Sequence, residues 1–149
     1  MNLFDELVAV VGALDRAGVD YALVGGLAVG VWGAPRATKD IDLLVRPADI
    51  DRAKDAVRAR GYALTALPMK FSDGMELHRV SKIADGQLMT VDFILVDDNL
   101  EPIWASRERR DLETTALKVV SRDALISMKL AAGRPQDQAD VVKLKEQDR

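Results

Sequence analysis

The sequence predicts an α/β fold: a mixed sheet of about four or five strands with helices packed on it and a short helical pair at the C-terminus. Three observations carry this. An apolar strand, Tyr21 to Val24, runs through Gly25-Gly26 into a short apolar helix. Apolar stripes of helical period alternate along the chain with short strand-like runs. Asp85-Gly86, set between two alternating stretches, is a strong hairpin signal.

The elements follow in order. Leu3, Phe4, Leu7, Val8, Val11 and Leu14 fall on one helical stripe that stops at Gly18, a good C-cap, and this helix is expected to cover one face of the sheet. After the strand Tyr21 to Val24 and the helix Gly26 to Val31, a loop from Pro35 to Lys39 leads into a second strand, Asp40 to Val45. Ala48 to Arg60 reads as a helix with Ile50, Ala53, Ala56 and Val57 inward and charges outward, stopped by Gly61. Met75 to Ile83 and Gln87 to Val96 form the hairpin, with Thr90, Asp92 and Ile94 on one face and Val91, Phe93 and Leu95 on the other. Pro102 to Glu108 reads as a short helix with Trp104 inward. Arg107, Arg109 and Arg110 form the densest basic cluster, diluted by Glu108 and Asp111, which fits a salt-bridged surface or an RNA contact. Leu112 to Val120 supplies one more strand or hairpin. Ser121 caps a helix through Ala132, Gly133 ends it, and Pro135 starts a last helix with Val141, Val142 and Leu144 inward.

Composition excludes several classes of function. With 149 residues, 48% hydrophobic and 30% charged, the chain is one domain's worth of globular protein and not a disordered one. A net charge of −3 argues against a broad basic surface and leaves room for a local groove. With no cysteine, thiolate nucleophiles, thiolate metal sites and disulfides are excluded, which suits a reducing compartment. His78 is the only histidine, so zinc sites built on several imidazoles are excluded, a Ser-His-Asp triad is disfavoured, and His78 reads as a hydrogen-bonded strand residue. Magnesium remains, since it takes carboxylates, water and phosphates. Asp5 and Glu6 stand where a signal peptide needs positive charge, and no apolar run is long enough to span a bilayer, so the expected location is cytoplasmic.

The chemistry gathers in Tyr21 to Val45. Asp40 and Asp42, at i and i+2 on a strand, point to one face about 6.5 to 7 Å apart at Cα. Gly25 and Gly26 let backbone N–H groups at the start of a helix approach an anion. Taken singly, the first is more often a solvated face and the second an ordinary turn. Together they suggest a metal beside a phosphate, and Ile41, Leu43, Leu44 and Val45 make the strand too apolar for an exposed edge. Asp92 is a further carboxylate within an apolar strand, read either as a third member of the site or as a hydrogen-bonded structural residue. Lys129, Arg134, Asp137 and Asp140 cluster around the last helical pair, where a plain salt-bridge network would also explain them.

The stretch LVGGLAVGVWGAPRATKDIDLLV resembles the signature of the DNA polymerase β-like nucleotidyltransferase superfamily, and more specifically its AbiEii-type branch, which includes toxins of type IV toxin–antitoxin systems. Gly33, Arg36, Thr38, Asp40 and Asp42 match its first block, and Lys129, Arg134, Asp137 and Asp140 its second. The resemblance implies one nucleotidyltransferase domain over 1–149, a core over 1–120 followed by a helical pair over 121–149. It implies two Mg²⁺ ions held by Asp40, Asp42 and Asp92, with Gly25, Gly26, Arg36, Thr38, Lys129 and Arg134 around the NTP. It also implies transfer of a nucleoside monophosphate to a hydroxyl, with RNA (tRNA) as the first acceptor, an antibiotic of aminoglycoside type as the second, and an antitoxin as a partner. A nucleotide-sensing scaffold without catalysis is the reading from another class. Gly26 stands where many relatives carry serine, and the chain is shorter than the full-length AbiEii-type toxins.

Overall fold

A computed structural model describes residues 2–112 and 115–147. Helix α1 (Leu3–Arg16) opens behind an Asn2 side chain that accepts from the Asp5 N–H. Strand β1 (Ala22–Val24) leads into α2 (Gly25–Val31), and then come β2 (Asp40–Val45), α3 (Ile50–Arg58) and the short strands β3 (Leu64–Thr65) and β4 (Met69–Lys70). The hairpin β5 (Glu76–Ala84) and β6 (Gln87–Leu95) follows, then α4 (Glu101–Ala105), β7 (Glu108–Leu112), β8 (Thr115–Val119), α5 (Arg122–Ala132) and α6 (Pro135–Glu146).

The strands form one mixed sheet in the order β3-β5-β6-β2-β1-β8-β7, with β4 also paired to β5. Strands β2 and β6 run parallel at its centre, flanked by antiparallel β1 and β5. The expectation of four or five strands is therefore low. The extra strands are β3 and β4, each two residues long and too short to carry a period, and β7, whose sequence ERRDL reads as a charged patch. Charge on β7 is what a sheet edge uses against unwanted pairing. The helix expected over Ala48 to Arg60 is shorter, Ile50–Arg58, because Pro47–Asp49 forms a separate 3₁₀ turn.

Alternation assigns the two faces. Ile41, Leu43 and Val45 point to one side of β2, as do their cross-strand partners Val91, Phe93 and Leu95. On β5 the same face carries Val80 and Lys82, and Lys82 Nζ lies 2.5 Å from Glu6 of α1, which also accepts a 2.7 Å bond from Tyr62. Helix α1 therefore covers the face opposite Asp40, Asp42 and Asp92. Val10, Leu14, Ile41, Leu43, Val57 and Phe93 are among the residues fully buried in the shared core.

The end of the fold departs from the sequence reading at one residue. Val142, expected inward, is 58% exposed. The inward stripe of α6 is Asp137, Asp140, Val141 and Leu144, half of it acidic, and an apolar-only count misplaces such a stripe.

Candidate functional site

Asp40 and Asp42 lie on one face of β2, and Asp92 is the direct cross-strand partner of Asp42 on the parallel neighbour β6. Adjacent strands are about 4.8 Å apart, so three carboxylates crowd one patch of sheet. Burial, and then the like charges of Asp92 and Asp40, push the Asp42 carboxyl up to about 7, while Lys129 and Arg79 pull it the other way. A divalent cation is the natural relief for such crowding, and the donor set, all carboxylate oxygen with threonine hydroxyls nearby, suits Mg²⁺. The fit is incomplete in one respect. Among the described residues no three acidic or histidine side chains are drawn together closely enough to hold a metal. The Asp92 carboxylate is turned to Arg79, with Nε donating to Oδ1 at 2.8 Å and Nη2 to Oδ2 at 3.0 Å.

Arg79 is the site residue that the sequence reading missed. A two-residue hairpin sets the register, and counting five residues back from Ala84 and five forward from Gln87 places Arg79 opposite Asp92. The turn supports that register, since Asp85 and Gly86 both have positive φ, at 53° and 74°.

The glycine turn serves the carboxylates directly. A Cβ on Gly25 would lie 2.1 Å from Asp42 Oδ2, and one on Gly26 would lie 2.7 Å from Thr38 Oγ1 and 3.2 Å from an Arg36 nitrogen. Gly25 also has φ +73°, a left-handed backbone that side chains resist. Gly25→Ala is therefore expected to lower stability by about 2 kcal/mol or more; urea unfolding measures it, and a wild-type midpoint would show that Asp42 does not need that space.

The cations expected around a nucleotide are mostly committed. Lys129 is only 7% exposed, and its ammonium lies 3.2 Å from Asp137 and 3.0 Å from Asp140. Arg36 grips Asp140 with two bonds of 2.9 and 3.1 Å, which ties the loop before β2 to α6. Burial works to raise the Asp140 pKa, but hydrogen bonds from Arg36, Lys129 and Gln136 outweigh it and hold the carboxyl low. Arg134 pairs with Asp137 at 2.6 Å, yet its side chain is 74% exposed, so it is the member of this group most able to turn toward a ligand. His78 sits apart from this face, with Nε2 2.7 Å from Glu76 and a buried Nδ1 that has no hydrogen-bond partner among the described residues.

A cleft of about 530 Å³ opens beside Asp40. Leu3 and Leu88 line it with apolar surface, and Thr38, Lys39 and Thr90 with polar groups. No helix among the described residues is long and apolar enough to cross a membrane.

Neither a protein-family model nor a curated protein matches this sequence. Solved structures do resemble the fold. TM1012 from Thermotoga maritima, classed as a nucleotidyltransferase, superposes with a TM-score of 0.70 at 15% identity over 99% of this chain and 94% of its own. The lincosamide antibiotic adenylyltransferase LnuA, with lincomycin bound, gives 0.67 at 14% identity over 95% of each chain. ANT(2")-Ia, in complex with adenylyl-2"-tobramycin, gives 0.62 at 15% identity over 94% of this chain and 85% of its own. At such identities the likeness is one of fold, and the chain has the fold of these nucleotidyltransferases.

Proposed function

We propose that this chain is a Mg²⁺-dependent nucleotidyltransferase, moving a nucleoside monophosphate from an NTP to an acceptor hydroxyl with release of pyrophosphate. One observation carries the reading: Asp40, Asp42 and Asp92 share one face of two parallel strands, with Asp42 lying against the Gly25 turn. Mg²⁺ bound there would neutralise the triphosphate and polarise the α-phosphate. Asp40, Asp42 and Asp92 are the ligands in this proposal, with Asp92 completing the metal site beside the acceptor hydroxyl. Asp92 takes the acceptor's proton as its oxygen bonds to the α-phosphorus and the bond to the leaving pyrophosphate breaks. The N–H groups of Gly25 and Gly26 and the Thr38 hydroxyl face the phosphates, and Arg134, Lys129 and Arg36 supply positive charge beside them.

The acceptor in this reading is a small hydroxyl-bearing molecule that enters by the cleft next to Asp40; Asp42 and Asp92 lie outside its lining, so the reacting hydroxyl has to extend past Asp40 to reach Asp92. The cleft's mixed apolar and polar lining suits such a ligand, and the likeness to two antibiotic-modifying adenylyltransferases over most of their length supports it. The second reading, an RNA acceptor such as tRNA with the antitoxin partner that the AbiEii-type resemblance implies, draws on the charged edge strand, where Arg109 is exposed beside Asp111 and Arg110 stacks 4.6 Å over Trp32. Incubation with each labelled NTP and Mg²⁺, against total RNA in one arm and aminoglycosides and lincosamides in the other, tests both. Label moving to a small molecule is expected; label in RNA selects the second reading, and NTP binding without transfer in either arm overturns the transferase and leaves a nucleotide sensor.

A further inference from the structure

We infer that Arg79 is a positioning residue that keeps Asp92 closed to a divalent cation until nucleotide phosphates draw its guanidinium away. The inference rests on the transferase reading above. Of the other cations near the site, three have acidic partners outside the three carboxylates: Lys129 and Arg134 hold Asp137, and Arg36 holds Asp140. The Arg79 guanidinium bonds only to Asp92 among the described residues, through both carboxylate oxygens. The neighbouring rungs offer it nothing else, since Ser81 and Thr90 bond to each other and Leu77 faces Ile94.

The pair is unequal in exposure. The Asp92 side chain is 5% exposed and that of Arg79 is 42% exposed. Asp92 is fixed within the central sheet, whereas the guanidinium sits at the surface on a flexible stem and can leave without moving backbone. While it stays, its fork occupies both oxygens of the carboxylate that must complete a metal site. Approach of a triphosphate presents the guanidinium with a more highly charged acceptor, and Asp92 is then released next to Asp42. A merely structural pair would share the geometry and would not compete with metal.

The competition is measurable without catalysis, as Mn²⁺ binding to the nucleotide-free protein followed by loss of the free-ion EPR signal. Arg79→Met is expected to bind Mn²⁺ roughly 10-fold or more tightly than wild type. The gain is expected to vanish in Arg79→Met/Asp92→Asn, and to shrink when a non-hydrolysable NTP analogue is present. Equal or weaker Mn²⁺ binding by Arg79→Met, or a gain that survives loss of the Asp92 charge, overturns the inference. Should Arg79→Met not fold, Arg79→Lys keeps the charge and loses the fork; it is expected to show a smaller gain, and no gain counts against the inference. The two proposals fail separately. Nucleotide transfer by wild type with no Mn²⁺ gain in the variants removes the Arg79 inference alone, whereas a Mn²⁺ gain in a protein that transfers no nucleotide removes the transferase reading and keeps the competition.

Discussion

Asp42→Asn is expected to raise the melting temperature of the nucleotide-free protein at pH 8 while abolishing nucleotidyl transfer. Burial and the charges of Asp92 and Asp40 hold the folded-state pKa of Asp42 at about 7, well above its unfolded value. A raised carboxyl pKa means that the folded chain keeps a proton which the unfolded chain loses near pH 4. Stability from this group therefore falls as pH rises from about 4 to 7 and levels off above that. At pH 8 the ionised side chain costs on the order of 2–4 kcal/mol, and the neutral amide, nearly the same shape against Gly25, removes that cost. The expected gain is roughly 5–15 °C at pH 8 and close to zero at pH 4. Mg²⁺ should stabilise wild type at pH 8 and leave Asp42→Asn unchanged. A variant no more stable than wild type at pH 8 would mean that the carboxylates are not in conflict. A site that weakens its own fold is a common cost of function.

Lys129→Met is expected to produce the largest loss of stability. Its ammonium is the shared partner of Asp137 and Asp140, which are 1% and 0% exposed. Removing it leaves two buried carboxylates leaning on Arg134, Arg36 and Gln136 alone. Breaking a buried ion pair from one side costs about 3–5 kcal/mol, and the remaining partners reduce this to about 2–4. Urea unfolding of Lys129→Met, Asp140→Asn and the double variant measures it, and the double variant should lose less than the sum of the singles. An unchanged urea midpoint with weakened NTP binding would instead make Lys129 a phosphate ligand free of the network. In the sequence Lys129 reads either as a residue around the NTP or as a member of a salt-bridge network, and its burial against Asp137 and Asp140 is what carries the expected loss of stability.

What the sequence shows of this fold is what local signals carry. Asp40 and Asp42 were legible because strand period alone puts them on one face, and the apolar residues between and after them demanded a central strand. The hairpin is legible in Asp85-Gly86, and its two-residue turn fixes the register that puts Arg79 opposite Asp92. Strands β3 and β4 were illegible because two residues carry no period, and β7 because an edge strand hides its apolar signal behind charge. The second block, Lys129, Arg134, Asp137 and Asp140, was visible as a cluster, but burial decides whether such charges face a ligand or one another, and burial comes from tertiary packing. Arg36 shows the same limit, since its partner Asp140 is 104 residues away.

Asp92 separates a carboxylate face that transfers nucleotide from one that merely binds it. Asp40 and Asp42 are enough to hold one metal–NTP, while transfer also needs a base at the acceptor hydroxyl. Single-turnover transfer and NTP affinity, measured side by side for wild type and Asp92→Asn, separate the two. Asp92→Asn is expected to lose transfer by about 10²-fold or more with NTP affinity within about threefold of wild type. Transfer by Asp92→Asn at the wild-type rate would contradict this expectation.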